Sequence, residues 1–224
     1  MITTLKPLIN KSTHRSFTPG SIIIYQGEVP RSACVLIKGV VRVYGISTQG
    51  EEQIVAFHVA GEFFPSSWIF SKAPSTLFFY EALTDCEVAF IPKKELVDYM
   101  LADPTRTNVM LDYFTTNYAA SLIRISGLEQ PKARDKLIYT LYFLCQRYVE
   151  VKDNSDYMVI PISLTHQSLA SFVGLTRETT AMEMSKLKKQ KVINYNNQQY
   201  TVNMRLLLDI IGEDSLKNIS IAGS

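Results

Sequence analysis

The sequence predicts an α+β protein: an antiparallel β-roll in the first half, one long helix, and a helical second half closed by a β-hairpin. Three observations carry that prediction. Glycines recur at turn-like intervals (Gly20, Gly27, Gly39, Gly50, Gly61), with short β-branched and aromatic runs between them. The apolar period then changes to alternating steps of three and four. Toward the C-terminus two short helical patterns flank Gly174-Leu175-Thr176, and NYNNQQYTV follows as a turn between two β segments.

In the first half the predicted strands are SIIIYQ, ACVLIK, VVRVYGI and EEQIVAFHV. A less regular aromatic stretch, FFPSSWIFSKAPSTLFFY, interrupts them before EALTDCEVAFIP resumes the pattern. Residues from about 17 to 92 therefore read as one β domain. Asp103-Pro104 then opens a helix, with Asp as N-cap and Pro at the first helical position. Along it Leu111, Phe114, Tyr118, Ser121, Ile125 and Leu128 form a heptad seam, flanked by Val109, Met110, Leu122 and Ile123. The seam fits a partner helix, and periodicity alone equally allows packing on the β domain. The helix should end near Gln130-Pro131. ARDKLIYTLYFLCQRYVE is a second helix, KDNSD a polar break and MVIPISL a short strand. Domain boundaries are expected at 1–103, 104–130 and 131–224.

Composition narrows the function classes. Of 224 residues, 46% are apolar and 20% charged, as in ordinary globular proteins. The net charge of +2 is too small to announce a polyanionic partner, so any such signal must lie in where the charges sit. The N-terminus lacks a secretory pattern and no apolar run would span a bilayer, so a cytoplasmic protein without a membrane partner is expected. Cys34, Cys86 and Cys145 are widely spaced, which argues against a disulfide framework or an iron–sulfur cluster.

The charges gather around the glycine turn. In the first short helix Leu169, Ala170 and Val173 form an inward stripe, and Gly174 suits the tight backbone of the turn. Thr176 caps the second helix, whose inward stripe is Thr180, Glu183, Met184 and Leu187. The opposite stripe is Arg177, Glu178, Ala181, Met182 and Ser185. Arginine offers paired donors to guanine, glutamate accepts from cytosine, and methionine or alanine meets a thymine methyl. Lys188 and its neighbours Lys189 and Lys191, with His166 and Gln167, are placed for phosphates. Helices followed by a hairpin make a winged helix-turn-helix order.

These residues carry a family resemblance. FTPGSIIIYQGEVPRSACVLIKGVVRVYGISTQGEEQIVAFHVAGEFF resembles the β-roll signature of the Crp/Fnr superfamily of transcription regulators. LTHQSLASFVGLTRETTAMEMSKLKKQKVI resembles its helix-turn-helix, with the Arg-Glu-Thr triplet the most specific part. The resemblance covers nearly the whole chain. It implies a cyclic-nucleotide-binding-like roll, a dimerisation helix, and a homodimer without enzymatic activity that binds a palindromic site on double-stranded DNA. Arg177 and Glu178 would read bases, and RNA polymerase is a further partner the resemblance allows. Two residues depart from the pattern. Met182 stands where many members carry a second arginine, and Glu183 where they bury an aliphatic side chain.

Cyclic-nucleotide-binding members grip the cyclic phosphate with an Arg-Ser pair. Alignment places Thr76 and Leu77 there, neither of which replaces a guanidinium, so cyclic AMP in the usual mode is not expected. The region is crowded with aromatics, including Phe63, Phe64 and Trp68, which either line an apolar effector pocket or fill the core. No cofactor is predicted and the effector stays open. A haem-gated receptor, with His14, His58 or a cysteine as ligand, is one alternative. A cupin-like metalloenzyme is another, and it lacks the converging histidines such sites need.

Overall fold

The runs between the glycines pair into two four-stranded antiparallel sheets in a computed structural model that describes residues 2–149 and 155–212. The expected helix end at Glu150, the first part of KDNSD and the tail 213–224 lie outside the described residues. The chain forms two units, residues 1–113 and 114–224, divided inside the helix that the sequence reading sets apart as 104–130.

The first unit opens with helix α1 (Ile2–Ile9) and continues through strands β1 (Thr13–Phe17), β2 (Ile22–Ile24), β3 (Ala33–Lys38), β4 (Val40–Ile46), β5 (Glu52–Val59) and β6 (Phe63–Phe64). Helix α2 (Ser66–Ile69), strands β7 (Phe79–Ala82) and β8 (Cys86–Ile91), and helix α3 (Lys93–Leu101) follow. One sheet has the order β1-β8-β3-β6 and the other β2-β7-β4-β5. Their facing residues, among them Ile24, Leu36, Val41, Phe64, Tyr80 and Val88, form the core of the roll. Gly39, at φ 97°, makes the tight β3–β4 turn, where a Cβ would meet Asp85 O at 2.4 Å. Only glycine fits there.

Helix α4 (Pro104–Leu128) starts as its sequence predicts. Asp103 Oδ1 accepts the N–H groups of Thr105 (2.8 Å) and Arg106 (3.1 Å). Those backbone donors, Arg106 first, hold the Asp103 carboxyl below the usual carboxylate range.

In the second unit helix α5 (Ala133–Tyr148) is buried continuously from Leu137 to Cys145. It approaches α4 so closely that a Cβ on Gly127 would lie 2.7 Å from Tyr139 Cβ. Strand β9 (Tyr157–Val159), helices α6 (His166–Val173) and α7 (Arg177–Lys189), strands β10 (Ile193–Asn196) and β11 (Gln199–Asn203), and helix α8 (Met204–Ile211) complete the chain. The three strands form one antiparallel sheet, ordered β10-β11-β9. The β10–β11 turn places Asn197 and Gln198 at φ 48° and 62°, the doubly left-handed geometry that favours a two-residue hairpin.

Candidate nucleic-acid interface

Local chemistry sets the angle and register of α6 and α7. Thr165 caps α6, its Oγ1 accepting the Ser168 N–H at 3.0 Å. Gly174 ends α6 in the left-handed conformation (φ 73°, ψ 41°), and the N–H groups of Gly174 and Leu175 both donate to Ala170 O, at 2.9 and 3.1 Å. The Gly174 bond is that of a left-handed glycine cap, and the Leu175 bond to the same carbonyl wraps the chain back over the last turn. Two residues later Thr176 starts α7, its Oγ1 accepting the Thr179 N–H at 3.2 Å. Each cap satisfies a donor that would otherwise lack a partner.

The two faces of α7 separate as the spacing predicts. Thr180, Glu183, Met184 and Leu187 are buried, as are Leu169, Ala170 and Val173 on α6. Arg177, Glu178, Met182, Ser185 and Lys188 are exposed, Met182 to 53%, with Ala181 half-buried between them. Among the described residues the side chains of Arg177, Glu178, Met182 and Ser185 make no hydrogen bond or ion pair, so their donors, acceptors and apolar surface all face solvent.

Glu183 is only 8% exposed, and its partner is Lys186, whose Nζ lies 2.6 Å from Oε1. Sequence reasoning left this carboxylate without a partner, although E-x-x-K at i, i+3 is a readable pairing signal.

The rest of the predicted contact surface is tied to the hairpin. The His166 ring stacks on Tyr195 (centroids 5.1 Å apart), and Tyr195 stacks on Tyr200 at 4.5 Å. Lys188 Nζ donates to Tyr195 O at 3.3 Å. Burial, and then the positive charge of Arg177, hold the His166 imidazole below its ordinary range. At neutral pH it is therefore a hydrogen-bonding ring rather than a cation. Gln167 and Thr176 are exposed at the starts of the two helices. Tyr195, which joins His166 and Lys188 to the hairpin, carries no signal of that role in the sequence; only its aromatic neighbour in NYNNQQY hints at a stack.

On α4 the seam residues Leu111, Tyr118, Ser121 and Ile125 are exposed, Tyr118 to 68%, while Phe114 and Leu128 are half-buried. The buried side of the helix is instead Met110, Ala120, Ile123 and Gly127.

The five residues considered for an effector pocket differ in burial and partners. Phe63 and Phe64 are fully buried, and Phe64 stacks on Tyr80 at 5.1 Å and on His58 at 5.1 Å. Trp68 lies under Lys93 Nζ, 4.7 Å from its ring centre. Thr76 is 2% exposed and its Oγ1 donates to Tyr25 O (2.6 Å) and lies 3.2 Å from Glu28 O, whereas Leu77 is 51% exposed. The aromatics thus pack the roll, and neither Thr76 nor Leu77 brings a cation to the site. His58 Nδ1 is 2.8 Å from Glu62, and His14 Nε2 donates to Ile9 O at 2.8 Å. Among the described residues no three His, Cys, Asp or Glu side chains come together as a metal site, and no helix is long and apolar enough to cross a membrane.

Comparison with known proteins supports this geometry from both ends of the chain. Residues 14–103 match the cyclic nucleotide-binding domain family, and residues 135–210 match the Crp-like helix-turn-helix domain. The nitrogen fixation regulation protein FixK of Rhizobium meliloti (strain 1021) is 26% identical over 178 residues, covering 80% of this chain and 76% of that protein. The regulatory protein HlyX of Actinobacillus pleuropneumoniae is 26% identical over 182 residues, with 81% and 74% covered. Among solved structures, FixK2 from Bradyrhizobium japonicum superposes with a TM-score of 0.71 at 20% identity, over 88% of this chain and 96% of that one. A roll of the first family, a helix-turn-helix of the second and regulators matched over about three quarters of their length make this chain a member of the Crp/Fnr family of transcription regulators.

Proposed function

We propose that the chain acts as a cytoplasmic homodimer that binds a palindromic DNA operator through paired α7 helices, without catalytic activity. The observation that carries this reading is the outward face of α7: Arg177 and Glu178 stand exposed in its first turn while the opposite stripe is buried. In each half-site Arg177 donates to guanine, Glu178 accepts from cytosine, and Met182 offers an apolar contact to a thymine methyl. Ser185 extends the same face. Lys188, Gln167, Thr176 and His166 contact phosphates, with His166 acting as a neutral donor. The exposed seam on α4 meets its copy in the second protomer, and half-sites about one helical turn apart follow from that twofold arrangement. RNA polymerase is the partner such a bound dimer would recruit or exclude.

Cyclic AMP in the usual mode is not part of this proposal. The position aligned with the phosphate-gripping arginine is Thr76, whose hydroxyl is already committed to backbone carbonyls.

The test is site selection from random DNA followed by titration of Arg177→Ala. The variant should lose roughly 1–3 kcal/mol on the selected site and lose its preference at one base pair. An equal loss on every sequence refutes base reading by Arg177.

A further inference from the structure

A cavity of about 800 Å³ lies within the roll unit, and none of Phe63, Phe64, Trp68, Thr76 or Leu77 lines it. Its walls come from β1, β2, the Glu28–Ser32 loop, the end of β8 and the start of α3. Phe17, Ile22, Ile24 and Phe90 give it apolar surface, and Lys11, Arg15 and Arg31 give it three positive charges. Two carboxylates also line it. Glu28 accepts the Tyr25 N–H at 3.1 Å, and Glu95 lies in the first turn of α3.

All three cations are solvent-exposed. Among the described residues Lys11, Arg15 and Arg31 make no ion pair and no side-chain hydrogen bond. Arg15 only spreads its guanidinium over the Phe90 ring, 5.2 Å from the centre. A guanidinium against an aromatic face keeps its in-plane N–H donors available, and that fork matches a carboxylate. The volume is within the range of small-molecule pockets.

We propose that this cavity binds a small organic anion with an apolar body, of the medium-chain monocarboxylate class. The head group sits with Arg15 and Arg31, and the tail runs along Phe17, Ile22 and Phe90. The inference stands on the roll unit alone and does not depend on how α7 reads DNA.

Calorimetric titration of the full chain with octanoate tests it. Octanoate should bind saturably at one per chain, and hexanoate about fifteenfold more weakly, because each of two buried methylenes contributes roughly a factor of four. Acetate, inorganic phosphate and octan-1-ol should each bind far more weakly, since each lacks the tail or the charge. The double variant Arg15→Gln/Arg31→Gln should weaken octanoate at least fivefold, whereas Lys72→Gln, outside the cavity, should leave it unchanged. In the unmodified protein a diazirine-bearing octanoate should label peptides within residues 11–34 or 90–95. Label elsewhere, octanol or phosphate binding as tightly as octanoate, or no saturable binding at millimolar octanoate overturns the proposal.

Discussion

Replacing Lys186 by alanine should loosen α7, while replacing Glu183 by leucine should not, although both changes delete the same ion pair. Glu183 sits on the buried stripe with its side chain 11% exposed, and the Lys186 side chain is 54% exposed. An ion pair with one partner this accessible contributes little by itself, about 0.2–1 kcal/mol. The larger quantity is the carboxylate left behind: an unpaired, nearly buried acceptor costs about 1–3 kcal/mol. Lys186→Ala should therefore destabilise α7 by about 1–2 kcal/mol, moderated by the solvent that still reaches Glu183. Glu183→Leu removes the buried charge, returns Lys186 to water and adds apolar surface beside Met184 and Leu187, so it should be neutral or stabilising. The double variant should then match Glu183→Leu to within about 0.5 kcal/mol. Hydrogen exchange at the Met184 and Leu187 amides reads this locally, with roughly 5- to 30-fold faster exchange in Lys186→Ala alone. If Glu183→Leu speeds exchange as much as Lys186→Ala, the pair is a net stabiliser and this reasoning is wrong.

Lys188→Ala should weaken DNA binding equally on all sequences and lower the salt slope by about one, measured by titration across ionic strength; a loss confined to the selected operator would assign Lys188 to base reading instead. The His166 imidazole should titrate below about 6.5 by NMR, and Arg177→Ala should bring it partway back, burial being the larger cause. Because its folded value is depressed, His166 contributes stability that is present above that range and lost as pH falls through the lowered value. Burial pushes the thiols of Cys34 and Cys145 up to about 12, so neither should react with Ellman's reagent near neutrality until the chain unfolds. Their contribution to stability is complete below the ordinary thiol value of about 8.5 and is lost as pH rises toward the folded value, which alkaline melts would record.

The central strands and the two faces of α7 were legible because burial imposes a period on them. ACVLIK and VVRVYGI coincide with β3 and β4, and the buried stripe Thr180, Glu183, Met184 and Leu187 is the one that i, i+3, i+4 and i+7 select. What escaped lacks such a period. THRSF is an edge strand, mostly exposed and polar, and only its pairing with β8 makes it one. Helix α1 carries Pro7 inside a single eight-residue run, and α3 and α8 are equally short beside stronger patterns. SIIIYQ shrinks to Ile22–Ile24 because Tyr25 already belongs to a turn, its carbonyl accepting the Glu28 N–H. The strand expected from MVIPISL lies at Tyr157–Val159; beyond it Ile160, Ile162 and Leu164 are buried, and the N–H groups of Ile160 and Leu164 donate to Tyr200 O and Gln198 O across the irregular stretch that holds Pro161. Thr165 had the chemistry of an N-cap, but its role shows only when α6 starts at His166. Tertiary contacts alone pair Lys188 and His166 with Tyr195, since nothing in sequence spacing brings a helix end and a hairpin together.

The division of α7 into a packed side and a solvent side has an evolutionary corollary. Among the described residues the side chains of Arg177, Glu178, Met182 and Ser185 make no hydrogen bond or ion pair, so changing them should leave folding almost untouched. If they read bases as proposed, target choice can drift by single substitutions there, each judged only by which promoters it favours. A lineage could thus rewire a regulon without first acquiring compensating mutations in the scaffold.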